Sequence, residues 1–400
     1  MARSHAKAMQ AAAVLGVAVL GLGACGSSKS STSSGTSGSS GSSGGSASAV
    51  KIGFFGALSG DNQALGQHIL DGEKLAVQQY MAASPKVAVT IDPFDSQGDP
   101  AQANNGAQKL IGDHIVALLG PAFSGESKAA NPQFAAAQIP HVTASATNVA
   151  LAQSGDNYFF RALADDGQQG PADADYLAKT VGAKTVAVID DNSSYGLGLA
   201  DAVRAELKTD GATDAVDDHV DPKGQDYSST VNKIVAAHPA AVFYGGYYDA
   251  AGRLINQLKS KGFTGTFMSG DGSEDPNFIT DAGGAPAEGA LLSSPGADVT
   301  TQPNGAAFTA AYTKAFGQGP EIYSAEAYDA TNFILAAIKA GNTTGPAINT
   351  YLHNNTYQGI TKTLKFQANG NVTSASIYIY KVENGKIVEI GTANGGGSNS

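Results

Sequence analysis

Tryptophan is missing from these 400 residues, and cysteine occurs once, at Cys25. A single thiol excludes an internal disulfide framework and any paired-cysteine metal or redox motif. Positive charge is also scarce: 24 Lys and Arg stand against 35 Asp and Glu, a formal net charge of -11. That balance argues against nucleic acid, which is held through basic patches. The histidines, His68, His114, His141, His219, His238 and His353 among them, are scattered, and no pair has metal-ligand spacing. There is no Walker loop either, so neither a metal nor a cofactor is expected. Gly41-Ser42-Ser43-Gly44-Gly45 fits the nucleophile pattern G-x-S-x-G, but it has no strand before it and no helix after it. An exported hydrolase would need a base beside its nucleophile, and no histidine lies near the most plausible serine, Ser124, in sequence.

What is present begins at the amino end. Arg3 and Lys7 form a short positive region, followed by small apolar residues from Ala11 to Ala24. Those 14 residues are too few to span a bilayer and read as a secretory signal. The segment ends in Leu22-Gly23-Ala24-Cys25, which resembles the bacterial lipobox and implies that Cys25 becomes the acylated first residue of the mature chain. From Gly26 to Ser48 the sequence is almost entirely Gly and Ser. Such a segment cannot bury apolar area and reads as a flexible tether with a reach on the order of 25 Å. No later run approaches the ~20 apolar residues of a transmembrane helix.

From Val50 onward short apolar runs alternate with longer amphipathic ones. Val50–Phe55, Val87–Ile91, Ile115–Leu119 and Ile139–Thr143 read as strands, and Leu65–Ala83, Ala101–Gly112 and Ser124–Ala137 as helices. The pattern restarts at Val186–Ile189, an apolar run suited to a strand buried on both faces. A helix at Tyr195–Lys208, a strand near Val216, a helix at Tyr227–Ala237, the strand Ala241–Tyr244 and a helix at Ala250–Lys261 follow, with short strands near Phe267 and Leu291. Two successive sets of βαβ units predict two similar α/β lobes with parallel sheets. After Gly296 come two helices, Ala306–Phe316 and Ser324–Ala340, then a hairpin across Glu383-Asn384-Gly385.

Polar residues gather where predicted strands end, the edge at which parallel α/β sheets bind ligands. Gly120-Pro121-Ala122-Phe123-Ser124-Gly125-Glu126 opens a helix, and Ser124 can cap that helix, face a carboxylate, or do both. Thr143-Ala144-Ser145-Ala146-Thr147-Asn148 offers the Ser145 and Thr147 hydroxyls in a turn. Tyr195 heads a helix after Asp190–Ser194. In Tyr244-Gly245-Gly246-Tyr247-Tyr248 two adjacent tyrosines cannot both pack inward, so one faces a cleft or the surface. Asp271 follows the short strand at Phe267, as a ligand group or as a plain turn aspartate.

These segments resemble the Leu/Ile/Val-binding protein family, the substrate-binding subunits of branched-chain amino acid ABC importers. The resemblance runs from about Ile52 to Ile390. It also takes in Gly56-Ala57-Leu58-Ser59-Gly60, Asp99-Pro100-Ala101-Gln102-Ala103, Tyr195-Gly196-Leu197-Gly198-Leu199-Ala200 and Ala287-Glu288-Gly289. It implies a type I periplasmic-binding fold: two Rossmann-like lobes joined by a three-crossing hinge, closing on a ligand between them. The leader then occupies 1–24 and the acylated cysteine and tether 25–49. Lobe one takes 50–165 and 296–375, lobe two 166–295 and 376–392, and a disordered tail 393–400. By the resemblance, Ser124 and Thr147 hold a ligand carboxylate, Thr147 and Asp271 receive its ammonium, and Tyr195 and Tyr247 close the site. Phe123 and Leu65 shape the side-chain pocket. Asp271 is one methylene shorter than the Glu common in the family, and Gly98 and Phe123 stand where the family often has a disulfide. The expected protein is a monomeric, lipid-anchored extracytoplasmic receptor, not an enzyme. It would pass a neutral aliphatic amino acid to an ABC permease. Relatives that bind amides, urea or aromatic acids, or that act as sensors, keep those alternatives open.

Overall fold

Strand β1 (Ser48–Gly56) sets the pattern of the first half. Its side chains alternate between two apolar layers: Ile52 and Phe54 pack in one core cluster and Phe55 in another. A strand buried on both faces needs helices on both sides, and it gets them. The computed structural model describes residues 48–374 and 376–393. The leader, Cys25, nearly all of the tether and the tail expected from sequence lie outside the described residues. Among those described, no helix is long and apolar enough to cross a membrane.

The first half contains α1 (Gln63–Ala82), β2 (Val87–Asp95), α2 (Ala103–Gly112), β3 (Ile115–Leu119), α3 (Ser124–Ala136), β4 (His141–Thr143) and β5 (Phe159–Arg161). Its five strands are all parallel, in the order β2-β1-β3-β4-β5. The second half contains α4 (Asp166–Asp175), β6 (Thr185–Asp190), α5 (Ser194–Thr209), β7 (Thr213–His219), α6 (Ser228–Ala237), β8 (Ala241–Gly245), α7 (Tyr248–Ser260), β9 (Thr266–Ser269), α8 (Pro276–Asp281) and β10 (Leu291–Ser294). Its parallel strands run β10-β9-β8-β6-β7, which is the order of the first sheet repeated. In both sheets the order reverses direction at the first strand, between β1 and β3 and between β6 and β8. That switch point leaves a crevice beyond the strand ends.

The chain crosses between the halves three times. After β5 it enters α4, which packs on α5. After β10 it returns to the first half through α9 (Gly305–Phe316), α10 (Ser324–Lys339) and α11 (Gly345–Asn354), with α9 and α10 against α1. Gly72 permits the close crossing of α1 and α10, because a Cβ there would lie 2.2 Å from the Ser324 carbonyl oxygen. A two-stranded ribbon follows, β11 (Tyr357–Gln358) with β12 (Thr363–Leu364). The third crossing leads to β13 (Tyr378–Glu383) and β14 (Lys386–Thr392), which extend the second sheet antiparallel past β10. Sequence periodicity missed β5, α4, α8, α11 and the β11–β12 ribbon. Strand β5 is only three residues long, and α4 carries Pro171 with an Asp- and Gly-rich sequence that shows no apolar stripe.

Arg161 fastens the first crossing to the third. It is fully buried, yet every donor group finds an oxygen. Its guanidinium donates to the Asp165 carboxylate at 3.1 Å, to Asn371 Oδ1 at 2.7 Å, and to the carbonyls of Ala146 and Asn148 at 3.2 and 2.9 Å. Asn371 in turn donates to Asp165 at 2.9 Å. Removing one partner of a buried pair strands the other charge, which costs about 3–5 kcal/mol. Arg161→Met should therefore lower unfolding free energy by about that amount in urea denaturation. A loss below about 1 kcal/mol would mean that the clasp is not needed.

Candidate functional site

The loops after β1, β3, β6 and β8 and the turn after β9 converge in the crevice. A pair of glycines sets how closely two of them approach. A Cβ on Gly196 would lie 2.4 Å from the Gly245 carbonyl oxygen, and one on Gly245 would lie 2.3 Å from that of Gly196. With both bare, the start of α5 presses against the end of β8. Tyr195 and Tyr247, flanking this contact, bring their rings to 5.1 Å between centroids. Tyr247 then meets Phe123 of the first half edge-on at 5.3 Å. Tyr248, its neighbour, is buried, and its hydroxyl donates to the Asp61 carbonyl of the first half.

Asp271 is the polar centre, only 1% exposed. The Tyr195 hydroxyl donates to one carboxylate oxygen at 2.7 Å and the Tyr323 hydroxyl to the other at 2.5 Å. Tyr195 belongs to the second half and Tyr323, just before α10, to the first, so one carboxylate ties both halves together. The Gly272 amide donates to the Tyr195 oxygen at 2.9 Å and fixes that ring. Burial raises the Asp271 pKa, and the two phenol donors pull it back down. Burial also raises all three phenols, Tyr195, Tyr247 and Tyr323, so they remain donors at neutral pH.

A small cavity of about 10 Å³ remains between these groups, room for roughly one water. Leu65, Ile69, Ala122 and Phe123 make its apolar wall, and Ser124, Ser145, Tyr195, Tyr247, Asp271 and Tyr323 the rest. Among the described residues no Lys or Arg lines it. Seven of the eight residues expected from sequence therefore meet here. Thr147 does not line the cavity: it is fully buried beside it, its hydroxyl completes no hydrogen bond of ordinary geometry, and its carbonyl accepts from the Asp166 amide at 2.9 Å. Ser124 does not cap α3, because it lies one residue inside the helix and the cap position falls to Phe123. Its Oγ instead accepts from the Asn148 amide at 3.2 Å. Ser145 donates to the Ala122 carbonyl at 2.6 Å. Asn148 reaches the second half, donating to the Ser194 carbonyl at 2.6 Å.

Sequence reasoning missed Tyr323 and the acids beneath the cleft. Tyr323 has φ of 66°, a left-handed backbone uncommon for a non-glycine residue, and no periodic pattern announces it. Asp166 and Asp173, on α4, are fully buried, and no hydrogen bond satisfies either carboxylate. Burial pushes Asp166 up to about 8, helped by the charge of Asp271 and resisted by the nearby Thr147 hydroxyl. Asp173 is pushed well up for the same first reason, with Asp271 and Asp166 adding to it. Of the three carboxyls, Asp271 receives the most complete set of donors and is the one best able to hold a negative charge.

Comparison with known proteins places this geometry. The model of the periplasmic binding protein family matches residues 49–386. The Leu/Ile/Val-binding protein homolog 3 of Brucella melitensis is 31% identical over 344 residues, covering 85% of this chain and 93% of the relative. Among solved structures, the branched-chain amino acid transporter substrate binding protein LivJ of Streptococcus pneumoniae, in complex with isoleucine, is 26% identical with a TM-score of 0.79. That match covers 85% of this chain and 97% of that one. A leucine binding protein of Thermotoga maritima, at 25% identity and a TM-score of 0.79, covers 86% and 98%. By the extent of these matches, the chain belongs to the periplasmic binding proteins, in the family of the Leu/Ile/Val-binding proteins.

Proposed function

We propose that this protein captures a neutral aliphatic α-amino acid between its two halves and delivers it to an ABC importer. The family consists of substrate-binding proteins rather than enzymes, and this chain is read as a receptor without turnover. The observation that carries the reading is the division of the cleft wall. A buried acid, Asp271, faces from the second half, while hydroxyls, the start of α3 and an apolar patch face from the first. A zwitterion leaving water needs partners for both charges. Asp271 serves the ammonium. With no basic side chain lining the cavity, the carboxylate falls to Ser124, Ser145 and the amides at the start of α3, whose first N–H groups have no partner within the helix. Thr147 supports this wall from behind. Leu65, Ile69, Ala122 and Phe123 receive the aliphatic side chain, and Tyr195 and Tyr247 close over it. Entry requires the halves to part, because a cavity of about 10 Å³ is far smaller than any amino acid. The signal and Cys25 motif put the receptor outside the cell membrane on a lipid anchor, as a monomer that meets its permease when closed.

Asp271→Asn removes the charge and keeps the shape. Isothermal titration should show leucine affinity falling about 100- to 1000-fold, the equivalent of about 3–4 kcal/mol. Binding of 4-methylpentanoate, which lacks the amino group, should change little. Equal losses for the two compounds, or binding of amides in place of amino acids, would overturn the zwitterion reading.

Asp166 gives a second test, in pH. Its carboxyl is raised from the usual 3.8 to about 8 in the folded protein. Between those values the fold keeps the proton and the unfolded chain releases it, so stability falls as pH rises, by up to ~1.4 kcal/mol per unit, and the loss is complete above about 8. Asp166→Asn mimics the protonated form and does not titrate. In urea unfolding it should match the parent near pH 4 and exceed it by several kcal/mol near pH 9. A constant difference across that range would show that Asp166 is not held neutral.

A further inference from the structure

Behind the cleft, against the second crossing, lies a much larger cavity of about 510 Å³. Both halves wall it. Glu274, Pro276 and Ile279 come from the turn after β9 and from α8, while Glu321, Ile322 and Glu326 come from the approach to α10 and its first turn. Tyr323 belongs to this wall as well as to the cleft. Four carboxyl groups line it, Glu274, Asp298, Glu321 and Glu326, against one basic side chain among the described residues, the exposed Lys386 at the hairpin turn. Lys362 stands behind the wall, with its ammonium 3.4 Å from the Pro295 carbonyl.

Asp298 is already engaged, accepting from the Thr300 amide and hydroxyl at 2.8 and 2.6 Å. Glu326 is not. It is 5% exposed, lines the cavity, and its Oε1 meets no hydrogen-bond partner. A buried carboxylate oxygen without a donor is costly unless something supplies one. The acids also work against each other. Burial raises Glu274, and the charges of Glu321, Asp298 and Glu326 raise it further. Asp298 likewise raises Glu321, which His68 on α1 offsets.

We propose that this cavity is a second binding site, for a small organic dication such as a linear diamine. The volume lies within the ~300–1,000 Å³ typical of small-molecule sites. A bare metal ion fits the donors less well. Among the described residues no three of these carboxylates bring oxygens close enough for one coordination shell, whereas a diamine reaches acids that stand apart. Since Glu274 and Glu321 approach from opposite halves, a dication between them replaces their repulsion by attraction and favours the closed arrangement.

The probe is 1,4-diaminobutane, titrated calorimetrically into the purified protein at fixed ionic strength. Glu274→Gln and Glu321→Gln should each weaken binding at least ten-fold. Lys386→Ala, a change at an exposed turn that threatens no core, should tighten it several-fold. The proposal is overturned if the parent protein does not bind the diamine. It is also overturned if neither glutamine variant weakens binding, if Lys386→Ala leaves it unchanged, or if magnesium at equal ionic strength produces the same heat in parent and variants.

Discussion

The arrangement depends on how one carboxylate is kept out of water. Asp271 sits at the junction of the two halves with almost no exposure, and a buried carboxylate without donors would take up a proton or force the site open. Two phenols, one from each half, oppose both outcomes. Their reach fixes much else. Tyr195 can arrive only because Gly196 and Gly245 let α5 press onto β8, and Tyr323 arrives only because the chain before α10 accepts a left-handed residue. The same contacts bring Tyr247 over Phe123, so the aromatic lid follows from the polar latch.

Much of this was legible in the sequence, for a definite reason. Strands buried on both faces must be apolar runs, and the helices that cover them must carry an apolar stripe, so β1, β3, β6 and β8 and the helices after them announce themselves. Since a parallel sheet places its ligand loops at strand ends, locating the strands also locates Ser124, Ser145, Tyr195 and Tyr247, whereas Leu65 and Phe123 came from the family resemblance. What was not legible falls outside that logic. Tyr323 follows no strand and reaches the cleft from the far side of the returning chain. Ser124 sits at the right place, but local pattern could not tell a cap from the first helical residue. The α4 segment, rich in Asp and Gly, reads as a loop in isolation and becomes a helix because the second half covers Ala172 and Ala174.

Under the latch the acids form a graded set. Asp271 is the best supplied with donors, Asp166 has only the Thr147 hydroxyl nearby, and Asp173 only Ser293. In a low-dielectric interior three neighbouring carboxyls cannot all ionise, and the proton goes first to those with fewest donors. The site therefore presents a ligand with one negative charge rather than three. That suits a single ammonium and disfavours a dication in the cleft. The larger cavity is lined by four acids from both halves, with Lys386 the one basic side chain among the described residues on its wall, which is why a different guest is proposed for it.

The latch also limits what a ligand can gain. Asp271 has two donors and the rings meet across the cleft, so a ligand entering it gains only the difference between its own contacts and those it displaces. An ammonium adds a full charge to a carboxylate that held only neutral donors, a term that neither tyrosine supplies. An amino acid's side chain must in turn spread Leu65 and Ile69 from Phe123 and Tyr247 to fit at all. On the proposed reading, affinity comes from the ammonium at Asp271 and from the apolar wall of Leu65, Ile69, Ala122 and Phe123. Hydroxyls already bonded within the protein, such as Ser124 and Ser145, are proposed to set orientation rather than strength.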